Sequence, residues 1–344
     1  MRERHRPVWE RTRHKAGAFL APGRLAASGA RFAGAWAGLL AEERRGGAVD
    51  LVVAGYPAQP DALPAWAVAR ARRAPLLVDA MVSLSDTLAG DRGRAGRLAG
   101  AALAGLDRTA LRAADLVMAD TEAGAEFLHT RFGVPAARIC VVPVGAEPGR
   151  FPPAPPPAGP PRALFYGKLA PLHGLETVLA AARMRGVPPL RLIGEGQLGP
   201  WLAEELRRSP PPGIEHVPWV PYERLGGEVA AAAICLGAFG TSAKAARVIP
   251  NKVHQAMAAA RPVVTADTPA ARELLADGRD ALLVPAGDPD ALAAALRRLG
   301  SDPELRLRLG EAARRRYLEV GAPAAVAARL LDGLAAAFGS RFQR

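Results

Sequence analysis

Of the 45 basic residues in this chain only four are lysines, Lys15, Lys168, Lys244 and Lys252, and two of these share one segment, ICLGAFGTSAKAARVIPNKVHQAMAAARPVVTAD at 234–267. In a chain so biased to arginine, a retained lysine marks a place that wants a compact, mobile ammonium rather than a planar fork. The segment reads as an apolar strand, a glycine-containing loop, a helix opened by Pro250 and a second apolar strand. A helix start presents unpaired N–H groups and a partial positive charge, which suits phosphate. Lys244, Arg247 and Lys252 have the charge to neutralise a diphosphate without a metal. Gly240, Ile249, Pro250, Asn251 and Val253 complete the candidate anion site, and Gln255, one helical turn beyond Asn251, is placed to hydrogen-bond a ribose.

Three further strand ends carry candidates. After ALFYG stand Gly167, Lys168 and Leu169, and then His173 and Gly174 open a helix. Glycines there let backbone approach a phosphate and Lys168 supplies charge. Gly194, Glu195 and Gly196 follow the next strand, a spacing suited to close approach to a nucleoside. Trp219, Val220, Pro221 and Tyr222 follow the third, where backbone groups of Val220 could read a base edge. Asp288-Pro289-Asp290 has the outline of an Asp-x-Asp metal motif, but it opens a helix and reads as an N-cap followed by proline at N1, so no metal site is assigned. His5, His14, His129, His216 and His254 show no ligand or triad spacing, and neither a Gly-x-Ser-x-Gly elbow nor a Walker loop is present.

The elements that must hold these loops alternate along the chain. Apolar strands are predicted at 51–55, 75–80, 115–120 and 139–144, with helices near 25–45, 61–73, 95–113 and 121–132. In the first helix Leu25, Phe32, Trp36, Leu39 and Leu40 share one face, a core stripe. A proline-rich run, PGRFPPAPPPAGPP at 148–161, cannot enter a sheet or helix interior and marks the domain boundary. Beyond it strands are predicted at 163–167, 190–194, 214–218, 234–239, 262–266 and 281–285, followed by helices at 289–299, 303–318 and 322–338. Strands alternating with helices are the signature of parallel α/β sheets. The expected organisation is an incomplete Rossmann-like domain at 1–147, a linker at 148–161, a nucleotide-binding Rossmann-like domain at 162–320, and a C-terminal helix at 321–344 that packs back on the first domain. No apolar strand with a glycine-rich turn precedes Val49, so the first unit reads as starting late, truncated or differently built.

At 344 residues, half of them apolar, the chain suits two globular domains. Its net charge is +12, and a basic N-terminal face would suit an anionic membrane surface or an anionic substrate. Nucleic acid is not expected, because aromatics are only 5% and no zinc-finger or RNA-stacking motif occurs. Cys140 and Cys235 each sit in an apolar strand without metal or disulfide spacing, as in a reducing cytoplasm. No run of about 20 apolar residues is found, and the N-terminus lacks the apolar core of a secretory signal. The expected location is cytoplasmic, peripheral on the inner face of the membrane.

Together these segments resemble the retaining glycosyltransferases of the GT-B class, family four. The resemblance rests on YGKLAPLHGLETVLAA (166–181), LIGEGQ (192–197), LGAFGTSAKAARVIPNKVHQAMAAARPVVTADTPAARELL (236–275) and DALLVPAGDPDALAAAL (280–296), in matching order over residues 160–300. VDAMVSLSDTL and ADLVMADTEAGAEFLHTRFGVP match more loosely. The resemblance implies an α/β GT-B fold, two doubly wound domains facing a cleft. It implies transfer of a hexosyl unit from a UDP- or GDP-sugar to a glycan or lipid-linked acceptor in polysaccharide biosynthesis, with no cofactor and no metal. Lys168 stands where the family carries a cation on the donor phosphates, and His173 where many members carry lysine. The family's Glu-x7-Glu motif falls on Arg247 and Gln255, so both acids are missing. Asp79 replaces a frequent cleft histidine and is the expected acceptor-side catalytic contact beside Lys168 and Lys252. Two alternatives come with these departures: a weak or inactive binding partner in envelope-polysaccharide synthesis, and a GT-B sugar-nucleotide epimerase.

Overall fold

The computed structural model describes residues 22–43, 47–91 and 93–342. The N-terminal unit runs α1 (Pro22–Glu43), β1 (Val52–Ala54), α2 (Ala62–Arg72), β2 (Leu76–Asp79), α3 (Leu84–Asp91), α4 (Gly93–Ala113), β3 (Leu116–Ala119), α5 (Glu122–Phe132) and β4 (Ile139–Val141). Its strands form one parallel sheet in the order β1-β2-β3-β4. The first described strand is β1, and the expectation of a late start falls partly on residues outside those described. Val78, Val117 and Ala54 on the strands bury against α2, α4 and α5 through Ala65, Ala69, Ala110, Leu111 and Leu128. On α1, Trp36 packs at the edge of this core and donates its indole N–H to Asp61 at 2.7 Å.

The C-terminal unit runs β5 (Ala163–Tyr166), α6 (Leu175–Ala182), β6 (Leu190–Ile193), α7 (Gly199–Arg208), β7 (Glu215–Val217), α8 (Tyr222–Ala231), β8 (Ile234–Leu236), α9 (Asn251–Ala258), β9 (Val263–Ala266), α10 (Pro269–Leu274), β10 (Leu282–Val284), α11 (Pro289–Ser301), α12 (Pro303–Val320) and α13 (Pro323–Phe338). All six strands are parallel, in the order β10-β9-β8-β5-β6-β7. This is the doubly wound order, with the chain reversing direction across the sheet between β5 and β8. In such sheets the loops leaving the strands on either side of that point splay apart and open a crevice. Both loops singled out by their lysines, after β5 and after β8, leave from this point. The strands are apolar on both faces because helices cover both: Phe165, Leu192 and Leu236 bury with α6, α7 and α11, whereas Leu164, Cys235 and Val263 bury with α9 and α12.

Asp288 caps α11 by accepting from the Ala291 amide at 2.9 Å, with Pro289 at N1. The proline-rich connection lies against the second unit, where Ala154 and Pro155 carbonyls accept from the buried Arg261 and Phe151 is fully buried. Among the described residues, Pro303–Phe338, which comprises α12 and α13, passes a length and composition test for a membrane span, although it holds no run of about 20 apolar residues. Here α13 crosses back to the first sheet, and Leu334 buries with Leu77, Leu116, Cys140 and Val142.

Candidate functional site

The crevice floor is made by backbone locked against backbone. Gly194 has φ +151, and a Cβ there would come within 2.0 Å of the Gly167 carbonyl oxygen. A Cβ on Gly240 would meet the Leu172 carbonyl at 2.3 Å. The loops after β5, β6 and β8 therefore interlock, and Gly194 and Gly240 serve this mutual approach. The sequence pattern credits such glycines with ligand approach; their close neighbours are protein. The Leu169 amide donates to the Glu195 carbonyl at 3.1 Å, and the Glu195 side chain is exposed. Gly196 sits against the Leu169 backbone, and Gly167 and Lys168 are exposed at the crevice rim.

Beneath that rim lies Lys252. Its side chain is 5% exposed, its Nζ has no hydrogen-bond partner, and the ammonium sits 3.7 Å above the centre of the Phe165 ring. A cation over an aromatic face is attracted by the ring quadrupole, but that does not replace a lost hydration shell. Burial accordingly pulls its pKa from 10.5 down to about 7. His173 stands beside the same ring, edge-on at 6.2 Å. Its Nδ1 lies 2.6 Å from the Lys168 carbonyl, which can only accept, so Nδ1 carries the proton and Nε2 the lone pair. Burial first, then the positive charges of Lys252 and Lys244, lower the His173 pKa to about 3. His173 is thus a neutral hydrogen-bonding group at a place where the resembled family often carries lysine. The amides of Asn251 and Lys252 at the start of α9 donate to no described protein group, whereas the Val253 amide is used by Pro250 at 2.9 Å.

Other expected donor contacts are committed elsewhere. Arg247 does not turn to the helix start. It pairs with Asp86 of α3 at 2.8 Å, stacks 3.9 Å over Phe127 of α5, and its carbonyl accepts from Thr121 at 2.6 Å. Lys244 reaches across to Thr87 at 3.1 Å. Gln255 is buried, not solvated, and its Oε1 accepts from the Tyr166 hydroxyl at 2.8 Å, which uses one of the two lone pairs of that oxygen. Val253 is core, and Ile249 and Val220 pack at the edge of the same cluster. Pro250 caps α9, and Asn251 is exposed.

Across the crevice, the first unit presents the carboxyl edge of its sheet. Asp107 holds the loop 80–85 by accepting from Ser83 and from the amides of Leu84 and Ser85. Asp79, the expected acceptor-side group, turns to its own neighbourhood, accepting from the Met81 amide at 3.1 Å. A cavity of about 50 Å³ lies between the units, lined by Met81, Asp86, Asp120 and Phe127 on one side and by Lys244 and Arg247 on the other. Asp120 is absent from the residues the sequence singles out. The rule applied to the second unit, that residues just past a strand's carboxyl end face the site, would have found it at the end of DLVMAD.

The description "glycosyl transferases group 1" fits residues 160–302, and "glycosyl transferase 4-like domain" fits residues 2–145. No curated protein matches the chain. Among solved structures, sucrose-phosphate synthase from Thermosynechococcus elongatus is 21% identical, with 90% of this chain and 78% of that one covered and a TM-score of 0.70. HepE of Anabaena, solved in complex with UDP, is 18% identical over 88% of this chain and 82% of its own, with a TM-score of 0.68. TarM of S. aureus, solved as a mutant with Fondaparinux, alpha-GlcNAc-glycerol and UDP, is 13% identical over 83% of this chain and 54% of its own, with a TM-score of 0.63.

Proposed function

We propose, from the premise that this chain is a GT-B glycosyltransferase with group 1 and 4-like domains in its two halves, that it moves a hexosyl unit from a UDP- or GDP-sugar to a hydroxyl of a glycan or lipid-linked acceptor, with retention of configuration and without a metal. The observation that carries the donor reading is Lys252: a buried ammonium with no partner, under the Gly167–His173 loop and at the start of α9. A buried cation without an anion is costly, and a pyrophosphate would supply both the charge and the acceptor oxygens it lacks. The free amides of Asn251 and Lys252 open the same helix, and Lys168 adds an exposed cation on the loop after β5.

The chemical task is to stabilise charge on the departing nucleoside diphosphate. Preorganised donors in a water-poor crevice do this without reorganisation. Neutral His173 offers its Nε2 lone pair to a donor hydroxyl. A uridine donor is supported by HepE, whose fold this chain shares and which was also solved in complex with UDP-glucose. The inner membrane face is the place we propose for the reaction, on the basic charge of the chain. Calorimetric titration with UDP and with GDP in the presence of EDTA tests this reading. Saturable binding of one diphosphate, unaffected by chelation, is expected; binding that appears only with added divalent metal refutes the metal-free form, and no binding of either refutes the donor reading.

A further inference from the structure

Asp120 stands at the mouth of the interdomain cavity, just past the end of β3, and every structural task around it is already filled. The N-cap of α5 is Thr121, whose hydroxyl accepts from the Gly124 amide at 2.9 Å. The next two free amides of that helix, Glu122 and Ala123, are taken by Glu273 from the other unit at 2.7 and 2.9 Å. The neighbouring carboxyl, Asp79, accepts from the Met81 amide. Among the described residues no side chain donates a hydrogen bond to Asp120. The absence of a side chain at Gly124, where a Cβ would lie 3.4 Å from Asp120 Oδ1, keeps space beside the carboxyl. Of the cations on the opposite wall, Arg247 is held by Asp86, and Lys244 reaches Thr87.

We propose that Asp120 is the acceptor-side carboxyl of this enzyme, taking the hydrogen bond of the incoming hydroxyl of a polyhydroxylic acceptor and orienting its oxygen toward the donor. This rests on the donor reading above. The cavity of about 50 Å³ between the units admits a hydroxyl-bearing edge, not a whole sugar, so the acceptor enters before the units close. A carboxylate in a partly dry pocket accepts a short, charge-assisted hydrogen bond from an O–H donor. The charged groups around it make its ionisation responsive near neutrality. Burial raises its pKa to about 7, and the charges of Asp79 from β2 and Glu273 from α10 push in the same direction, whereas Lys244 and Arg247 face the cavity from the other unit. The ionised, hydrogen-bond-accepting form therefore grows in as pH rises through about 7.

Water serves as the probe hydroxyl. The experiment measures release of nucleoside diphosphate from UDP-glucose or GDP-mannose, whichever base calorimetry selects, as a function of pH in wild type and in Asp120→Asn. Hydrolysis by wild type is expected to rise through about pH 7. The Asp120→Asn variant should be slower by roughly tenfold to a hundredfold on the alkaline side, the range for loss of a hydrogen bond to a charged group. It should lack the rise, while its diphosphate affinity is unchanged. Asp79→Asn, as a comparison, should keep the rise but move it to lower pH, because it removes a charge that raises the Asp120 pKa. A rise that persists in Asp120→Asn, or a protein that binds the diphosphate yet hydrolyses neither donor, overturns the assignment. Loss of diphosphate binding in wild type overturns the donor reading instead.

Discussion

Replacing Lys252 by methionine should make the free protein more stable and the same protein a worse binder of diphosphate. The lysine side chain is 5% exposed and its Nζ has no partner, so its charge is carried into the fold at a cost. Its pKa falls from 10.5 in the unfolded chain to about 7 in the folded one. At pH 7 that difference corresponds to about 4 kcal/mol at most against the fold. The contact with Phe165 returns about 1–2 kcal/mol of this. Methionine matches the unbranched shape, needs no partner and makes a favourable sulfur–aromatic contact. The expected gain is about 2–3 kcal/mol, or roughly 5–10 °C in Tm for a domain of this size. The sign of the pH dependence is fixed. Between pH 7 and 10.5 the unfolded chain holds a proton that the folded one has released, so wild-type stability rises with pH and the advantage of methionine shrinks. The same substitution removes the cation proposed for the pyrophosphate, and affinity should fall roughly tenfold to a hundredfold. Above pH 7 wild type should also take up a proton on binding, seen as a buffer-dependent heat in calorimetry, and the methionine variant should not. A destabilised Lys252→Met protein with unchanged affinity would refute the reasoning on both counts.

Two other substitutions probe the frame of the site. Arg247→Ala removes the bridge to Asp86 and the stacking on Phe127 while leaving each unit's core untouched; the ligand-free protein should open, with a larger radius of gyration by small-angle X-ray scattering, and an unchanged curve would show that the bridge does not hold the cleft. Tyr166→Phe strands the buried Gln255 Oε1 and should cost about 1–3 kcal/mol in chemical denaturation; a neutral result would mean that Gln255 finds another donor.

The domain-closing contacts have a physical consequence for turnover. Arg247 and Lys244 both sit on the loop that leads into α9, and both are held by the first unit. The loop that shapes the donor crevice is therefore coupled to the position of the acceptor-side domain. Pairs of this kind, partly buried and spanning two rigid bodies, contribute modest energy each, which suits a cleft that must open in every cycle.

Local chemistry determined much of this protein. Apolar runs bounded by glycine and proline located all ten strands among the described residues, and the Asp288-Pro289 cap was readable because capping is decided within one turn of chain. The doubly wound order then followed from alternation. The helix Leu84–Asp91 was not legible: it is short, its start is capped by Ser83, and Ser83 is held by Asp107, a residue the pattern gives no reason to connect. The site chemistry was decided by tertiary contacts. Gln255 is bonded to Tyr166, 89 residues away, and Arg247 to Asp86, 161 residues away. Lys252 was found by its rarity, but its burial, its missing partner and the shifted pKa that burial causes are set by the fold, which places its ammonium over the Phe165 ring. Asp79 and Asp120 end adjacent strands and look equivalent in sequence. Which carboxyl is tied to backbone and which is left facing the cleft depends on the Met81, Thr121 and Glu273 groups that folding brings around them, and composition or periodicity holds no record of those distances.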